Sequence, residues 1–192
     1  MLRTFEKKLP NMRISVFFLL FLLPLTAAFT QTDSLTFPAA WQGKYAGELQ
    51  IFTQKGLVQT LPMELHLLPL DTSENYTFTI IYGEDKVAGR RSYELETVNV
   101  AKGLYRVDEK NSIIMEGYLL GDAFYQRFEV SGTLLTTITE KTGADEITWT
   151  IVSGKNEAVS KSGGQIAEGE EIPEVSAFPL TNAQRAVLRR IE

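Results

Sequence analysis

The sequence predicts an all-β protein: an antiparallel up-and-down meander of about nine to ten strands closing into a barrel, with a short C-terminal helix. Three observations carry this. From Trp41 to Gly154 apolar and polar residues alternate with period two, and β-branched and aromatic residues are enriched there. Turn-forming residues recur about every eight to twelve positions, so successive strands are joined by hairpins. A meander this long exposes two edges unless it curls and closes, which makes a barrel the economical arrangement.

Residues 1–30 differ in kind from the rest of the chain. Arg3, Lys7, Lys8 and Arg13 precede an apolar run from Ile14 to Leu25, and Thr26-Ala27-Ala28 supplies small residues of the type a signal peptidase cleaves beside. The segment reads as a signal peptide, with Met12 an alternative start. The run is shorter than the ~20 apolar residues of a membrane-spanning helix and contains Pro24. Cleavage would therefore leave no integral membrane segment.

The barrel domain is expected over residues 31–154, with strands near 41–52, 58–68, 75–82, 90–98, 103–108, 111–120, 123–131, 133–140 and 145–153. Lys55-Gly56, Asp108 to Asn111, Gly121-Asp122 and Thr142-Gly143 carry the residues of tight turns. Asp71 to Asn75 and Gly83 to Arg90 read as longer loops. Residues 155–173 are polar and glycine-rich and read as a flexible linker. Over 174–192, Val175 to Leu180 reads as a last strand closing the barrel. Thr181 to Gln184 forms a capping box opening a short helix through Arg190.

In a closed sheet alternate residues face the lumen, which sorts the side chains. Tyr45, Leu49, Met63, Leu65, Phe78, Ile80, Tyr82, Tyr93, Phe124, Gln126, Phe128 and Trp149 fall on the inner face and form the candidate ligand-contacting set. A lumen of aromatics and aliphatics with a few hydroxyls and one amide suits a small, mostly apolar ligand with one or two polar handles. Gly43 and Gly47, on the same face of the first strand, allow it to coil and other segments to approach, with Trp41 plugging one end.

The whole chain has a formal charge of −5; removing the first thirty residues, with four basic and one acidic side chain, leaves −8. That balance argues against a nucleic-acid partner. The absence of cysteine excludes disulfides and a lipid-modified cysteine anchor. A soluble periplasmic or secreted protein is expected.

Trp41-Gln42-Gly43-Lys44-Tyr45-Ala46-Gly47 resembles the glycine and tryptophan motif that opens the first strand of calycin-like barrels: lipocalins, fatty-acid-binding proteins and nitrobindin-like haem barrels. Pro38-Ala39-Ala40 departs from the lipocalin pattern, which carries a glycine before the tryptophan. The ending from Gln184 to Arg190, Gln-x-Ala-x-Leu-x-Arg, also resembles that of uncharacterised exported barrels of Bacteroidetes-type bacteria. The calycin resemblance implies a late arginine packed over the first-strand tryptophan, so Arg185, Arg189 or Arg190 is expected over Trp41.

Catalytic signals are sparse. His66, the sole histidine, falls on the outer face beside Glu64, which suits a surface side chain better than a metal or haem ligand. Glu94 with Glu96 and Glu116 with Glu129 read as solvent-facing charge rather than paired catalytic carboxylates, as does Glu48, which shares a face with the amide Gln50. Asp71 to Asn75 and Asp108 to Asn111 lack EF-hand spacing. Asn75-Tyr76-Thr77 and Asp33-Ser34-Leu35 match glycosylation patterns short enough to arise by chance.

No metal or cofactor is expected, and catalysis is not favoured. The expected function is binding of a small hydrophobic ligand in the lumen. Its rivals are a filled barrel that binds or inhibits a protein partner, and a cofactor-independent isomerase or cyclase.

Overall fold

The structure is a computed structural model that describes residues 36–192; the expected signal segment and Asp33-Ser34-Leu35 lie outside the described residues. Nine strands run in chain order through the region of period-two alternation. They are β1 (Gly43–Thr53), β2 (Gly56–Leu67), β3 (Tyr76–Tyr82), β4 (Arg90–Asn99), β5 (Leu104–Asp108), β6 (Ile114–Leu120), β7 (Ala123–Val130), β8 (Thr133–Gly143) and β9 (Glu146–Lys155). Four short strands come next, β10 (Ser160–Ser162), β11 (Ile166–Ala167), β12 (Glu170–Glu171) and β13 (Val175–Ala177), and then β14 (Asn182–Arg190).

β1 to β9 and β14 form a closed antiparallel barrel in the order β1-β14-β9-β8-β7-β6-β5-β4-β3-β2. Each strand pairs with its sequence neighbour, and β14 fills the remaining place between β9 and β1. Closure gives every barrel strand a hydrogen-bonded neighbour on both sides. Among the described residues no helix is long and apolar enough to cross a membrane.

The ending differs from expectation. Residues read as a capped helix form β14, whose Ala186 and Leu188 are buried while Arg185, Val187 and Arg189 are exposed. A period-two pattern with two open strand edges to satisfy outweighs the helix propensity of Ala, Gln, Leu and Arg. Val175–Ala177 does not close the barrel either; it pairs with β10 in a separate two-stranded sheet. The segment read as a linker contributes β10 and the small β11–β12 sheet to an excursion between β9 and β14.

The two barrel ends are built differently. Residues before β1 form a 3-10 turn over Ala39–Trp41 that brings Phe37 and Trp41 into the core, 6% and 5% exposed. Phe37 lies edge-on to Trp41 at 4.6 Å and to Tyr105 at 4.8 Å, and stacks on Phe124 at 5.4 Å. Tyr105 anchors the plug by donating its hydroxyl hydrogen to the Phe37 carbonyl at 3.1 Å. This closed end holds the starts of β1, β3, β5, β7 and β9. The opposite, open end carries the β1–β2, β3–β4, β5–β6 and β7–β8 connections.

Candidate functional site

The predicted inner-face residues all point into the barrel and divide between its two halves. Tyr45, Leu49, Met63, Leu65 and Phe124 belong to the packed closed half, each no more than 1% exposed, and none of them lines the cavity toward the open end. Phe78, Ile80, Tyr82, Tyr93, Gln126, Phe128 and Trp149 line a cavity of about 110 Å³ toward the open end. That volume would hold roughly three or four water molecules.

Tyr82 and Trp149 meet edge-on across the cavity, their rings 6.2 Å apart. Burial pushes the Tyr82 phenol well above its ordinary range, so it stays a neutral hydroxyl. Burial likewise raises Tyr93, and the charge of Glu109 beside it adds to the effect.

The most informative side chain is Gln126, 6% exposed. Its Oε1 accepts a hydrogen bond from the Thr137 hydroxyl at 3.3 Å, across the β7–β8 pair. Its Nε2 is buried with no partner, alone among the described residues in this respect. A buried amide N–H without an acceptor costs about 1–3 kcal/mol. Gly117 helps to set its position: a Cβ there would lie 2.3 Å from the Phe124 ring and 2.8 Å from the Gln126 side chain.

Sequence reasoning did not single out Val107, Glu109, Met115 or Thr137, which also line the cavity. Val107, Met115 and Thr137 lie on the alternating inner face, so extending the same count along β5, β6 and β8 finds them. Glu109 lies in the β5–β6 turn, where alternation has no bearing.

At the closed end the late arginine is Arg190, and the ring it covers is Tyr45 rather than Trp41. Its guanidinium carbon lies 4.9 Å from the Tyr45 ring centroid, and its Nη2 donates to the phenol oxygen at 2.7 Å. Lys141 Nζ donates to the same oxygen at 3.0 Å, while that hydroxyl donates to the Trp41 carbonyl at 2.9 Å. Trp41 is occupied by Phe37 and the plug, whereas Tyr45 is directly opposite Arg190 in the β1–β14 register.

The other predicted structural residues take different places. Arg185 and Arg189 are exposed, and Arg189 pairs with Glu146 at 3.0 Å. Gly43 sits at φ +152°, where an added Cβ would lie 2.1 Å from Arg190. Gly47 lets β14 approach, since a Cβ there would lie 2.2 Å from the Val187 carbonyl oxygen. Both glycines thus make room for the closing strand.

His66 lies on the outer face, with Nε2 2.9 Å from Glu64 Oε2, and Lys86 reaches the other Glu64 oxygen at 2.6 Å. Glu94 and Asp108 flank Lys110 at 2.6 and 3.1 Å. Among the described residues no group of three or more His, Cys, Asp or Glu side chains is placed to hold a metal ion.

No protein-family model matches the chain, and no curated protein sequence matches it. A solved structure from Nostoc punctiforme, a protein of unknown function from the DUF3598 family, is similar with a TM-score of 0.54 at 11% identity. The match covers 79% of this chain and 48% of that one, so this chain spans about half the length of its neighbour. At that identity the likeness is one of fold alone.

Proposed function

We propose that the protein is an exported, calycin-like barrel that binds one small, mostly apolar molecule in the open half of its lumen without transforming it. The observation that carries this reading is Gln126 Nε2, a buried donor lacking an acceptor inside a cavity walled mostly by aromatic and aliphatic side chains, with Glu109 and Thr137 among them. A ligand carbonyl or ether oxygen would supply the missing acceptor, and its apolar body would meet Phe78, Ile80 and Trp149. Neither Lys nor Arg lines the cavity, and its one charged liner is Glu109. A neutral ligand therefore fits better than a carboxylate.

The test is mass spectrometry of gently purified protein for a co-purifying molecule, followed by tryptophan-emission titration with small neutral carbonyl compounds. Gln126→Leu keeps the side-chain bulk and removes the donor. Loss of one net hydrogen bond weakens binding by about threefold to tenfold. Wild-type protein that carries and binds nothing, or a Gln126→Leu variant that binds as tightly as wild type, refutes the reading.

A further inference from the structure

The barrel wall is incomplete at one seam. β6 and β7 pair only at Tyr118–Tyr125, Leu119–Phe124 and Leu120–Ala123, next to their turn. On its other side β7 pairs with β8 along its full length from Ala123 to Val130, and β6 pairs with β5 from Ile114 to Tyr118. From Gly117 and Gln126 toward the open end, the two strands make no pair with each other.

A cleft of about 640 Å³ lies at this seam. Ile114, Tyr118 and Val130 line it and are 56%, 45% and 52% exposed, an apolar group open to solvent. Glu109, Met115 and Phe128 line both this cleft and the lumen cavity, so the two spaces meet at those side chains. Gln126 stands at the inner side, the first residue of β7 past the last β6–β7 pair.

We propose that cleft and cavity form one elongated site for an uncharged chain molecule. Its hydrogen-bond-accepting end meets Gln126, and its hydrocarbon chain passes between Met115 and Phe128 to lie along Ile114 and Val130. This rests on the lumen-binding reading and extends it to the ligand's shape and route. Size supports it: ligand sites for drug-sized molecules run about 300–1,000 Å³, which the lumen cavity alone falls short of and the joined space reaches. Charge supports it too, because Glu109, Glu116 and Glu129 flank the seam against Arg127 and the Arg106 that pairs with Glu116 at 3.5 Å, an acidic balance that makes a poor setting for a fatty-acid carboxylate.

The test titrates the full chain with straight-chain methyl ketones from hexanone to dodecanone, read by tryptophan emission. Affinity rises by about fourfold per added methylene through the longest ketone if the chain continues into the seam. Ile114→Asp and Val130→Asp, at half-exposed positions, end that rise at the shorter ketones, and circular dichroism verifies that both variants are folded. Affinity that levels off at the shortest ketones, or a rise that both variants leave intact, overturns the seam while sparing the lumen reading. A carboxylate that binds more tightly than the ketone of equal length overturns the uncharged ligand. If no ketone binds, the lumen reading falls and the seam with it.

Discussion

Arg190 holds Tyr45 in two ways at once: Nη2 donates to the phenol oxygen at 2.7 Å while the guanidinium lies 4.9 Å over the ring. Asp145 fixes the arginine through Nε at 2.8 Å, and the Gln42 carbonyl accepts from Nη1. The absence of a side chain at Gly43 makes this possible. Gly43→Ala is expected to destabilise the protein by about 1–3 kcal/mol through backbone strain and steric conflict, read from the urea midpoint. In an Arg190→Ala background the same substitution costs less, because the nearest atom it meets is gone. Equal costs in both backgrounds contradict the coupling.

Gly117→Ala is expected to cost about 1–3 kcal/mol, since the new methyl overlaps the Phe124 ring that supports the plug. It also pushes on Gln126, so ligand affinity falls along with stability. A variant with unchanged urea midpoint would show that Phe124 has space to retreat.

Five carboxylates are held below their ordinary range, and Glu64 and Glu94 are two of them. Burial pushes Glu64 up, but the hydrogen bonds from Lys86 and His66 prevail and hold it below its ordinary 4.5. Lys110, with Asn75 second, holds Glu94 below 4.5 as well. Each carboxyl binds its proton less readily folded than unfolded, so its stabilisation is complete above 4.5 and is lost as pH falls below it. The urea midpoint is expected to drop over that acid range, and Glu64→Gln combined with Glu94→Gln flattens the drop.

Alkaline behaviour has the opposite sign. Tyr82 keeps its proton to a higher pH folded than unfolded, because burial disfavours the phenolate. Its contribution is complete below the ordinary phenol value of 10.0 and is lost as pH climbs above it. Stability is expected to fall more steeply in that range for wild type than for Tyr82→Phe, as measured by thermal unfolding across alkaline buffers.

Alternation made β1 to β9 legible, with most observed ends within two or three residues of expectation. It also placed every predicted lumen side chain on the correct face. It could not say which inward residues would be packed and which would border space, because that depends on the Phe37 plug, three-dimensional packing with no periodic signature. The local helix signal of Thr181 to Gln184 masks β14, whose two partner edges lie far away in the chain. The β6–β7 seam is equally hidden: Ile114 to Gly117 are held as strand by β5 on one side, and sequence patterning reports which face a residue takes, not whether a second partner is present. Arg190 was among the expected arginines, but its true target depends on register, which places it opposite Tyr45.

The position of β14 has a consequence for biosynthesis. Arg190 and Tyr45 are 145 residues apart in sequence, and β14 supplies the only link between β9 and β1 among the described residues. A ribosome delivers the nine consecutive strands first, then the excursion, and the keystone last. Until then β1 and β9 are raw edges able to recruit a neighbouring chain, so the newly made polypeptide depends on prompt shielding from its fellows.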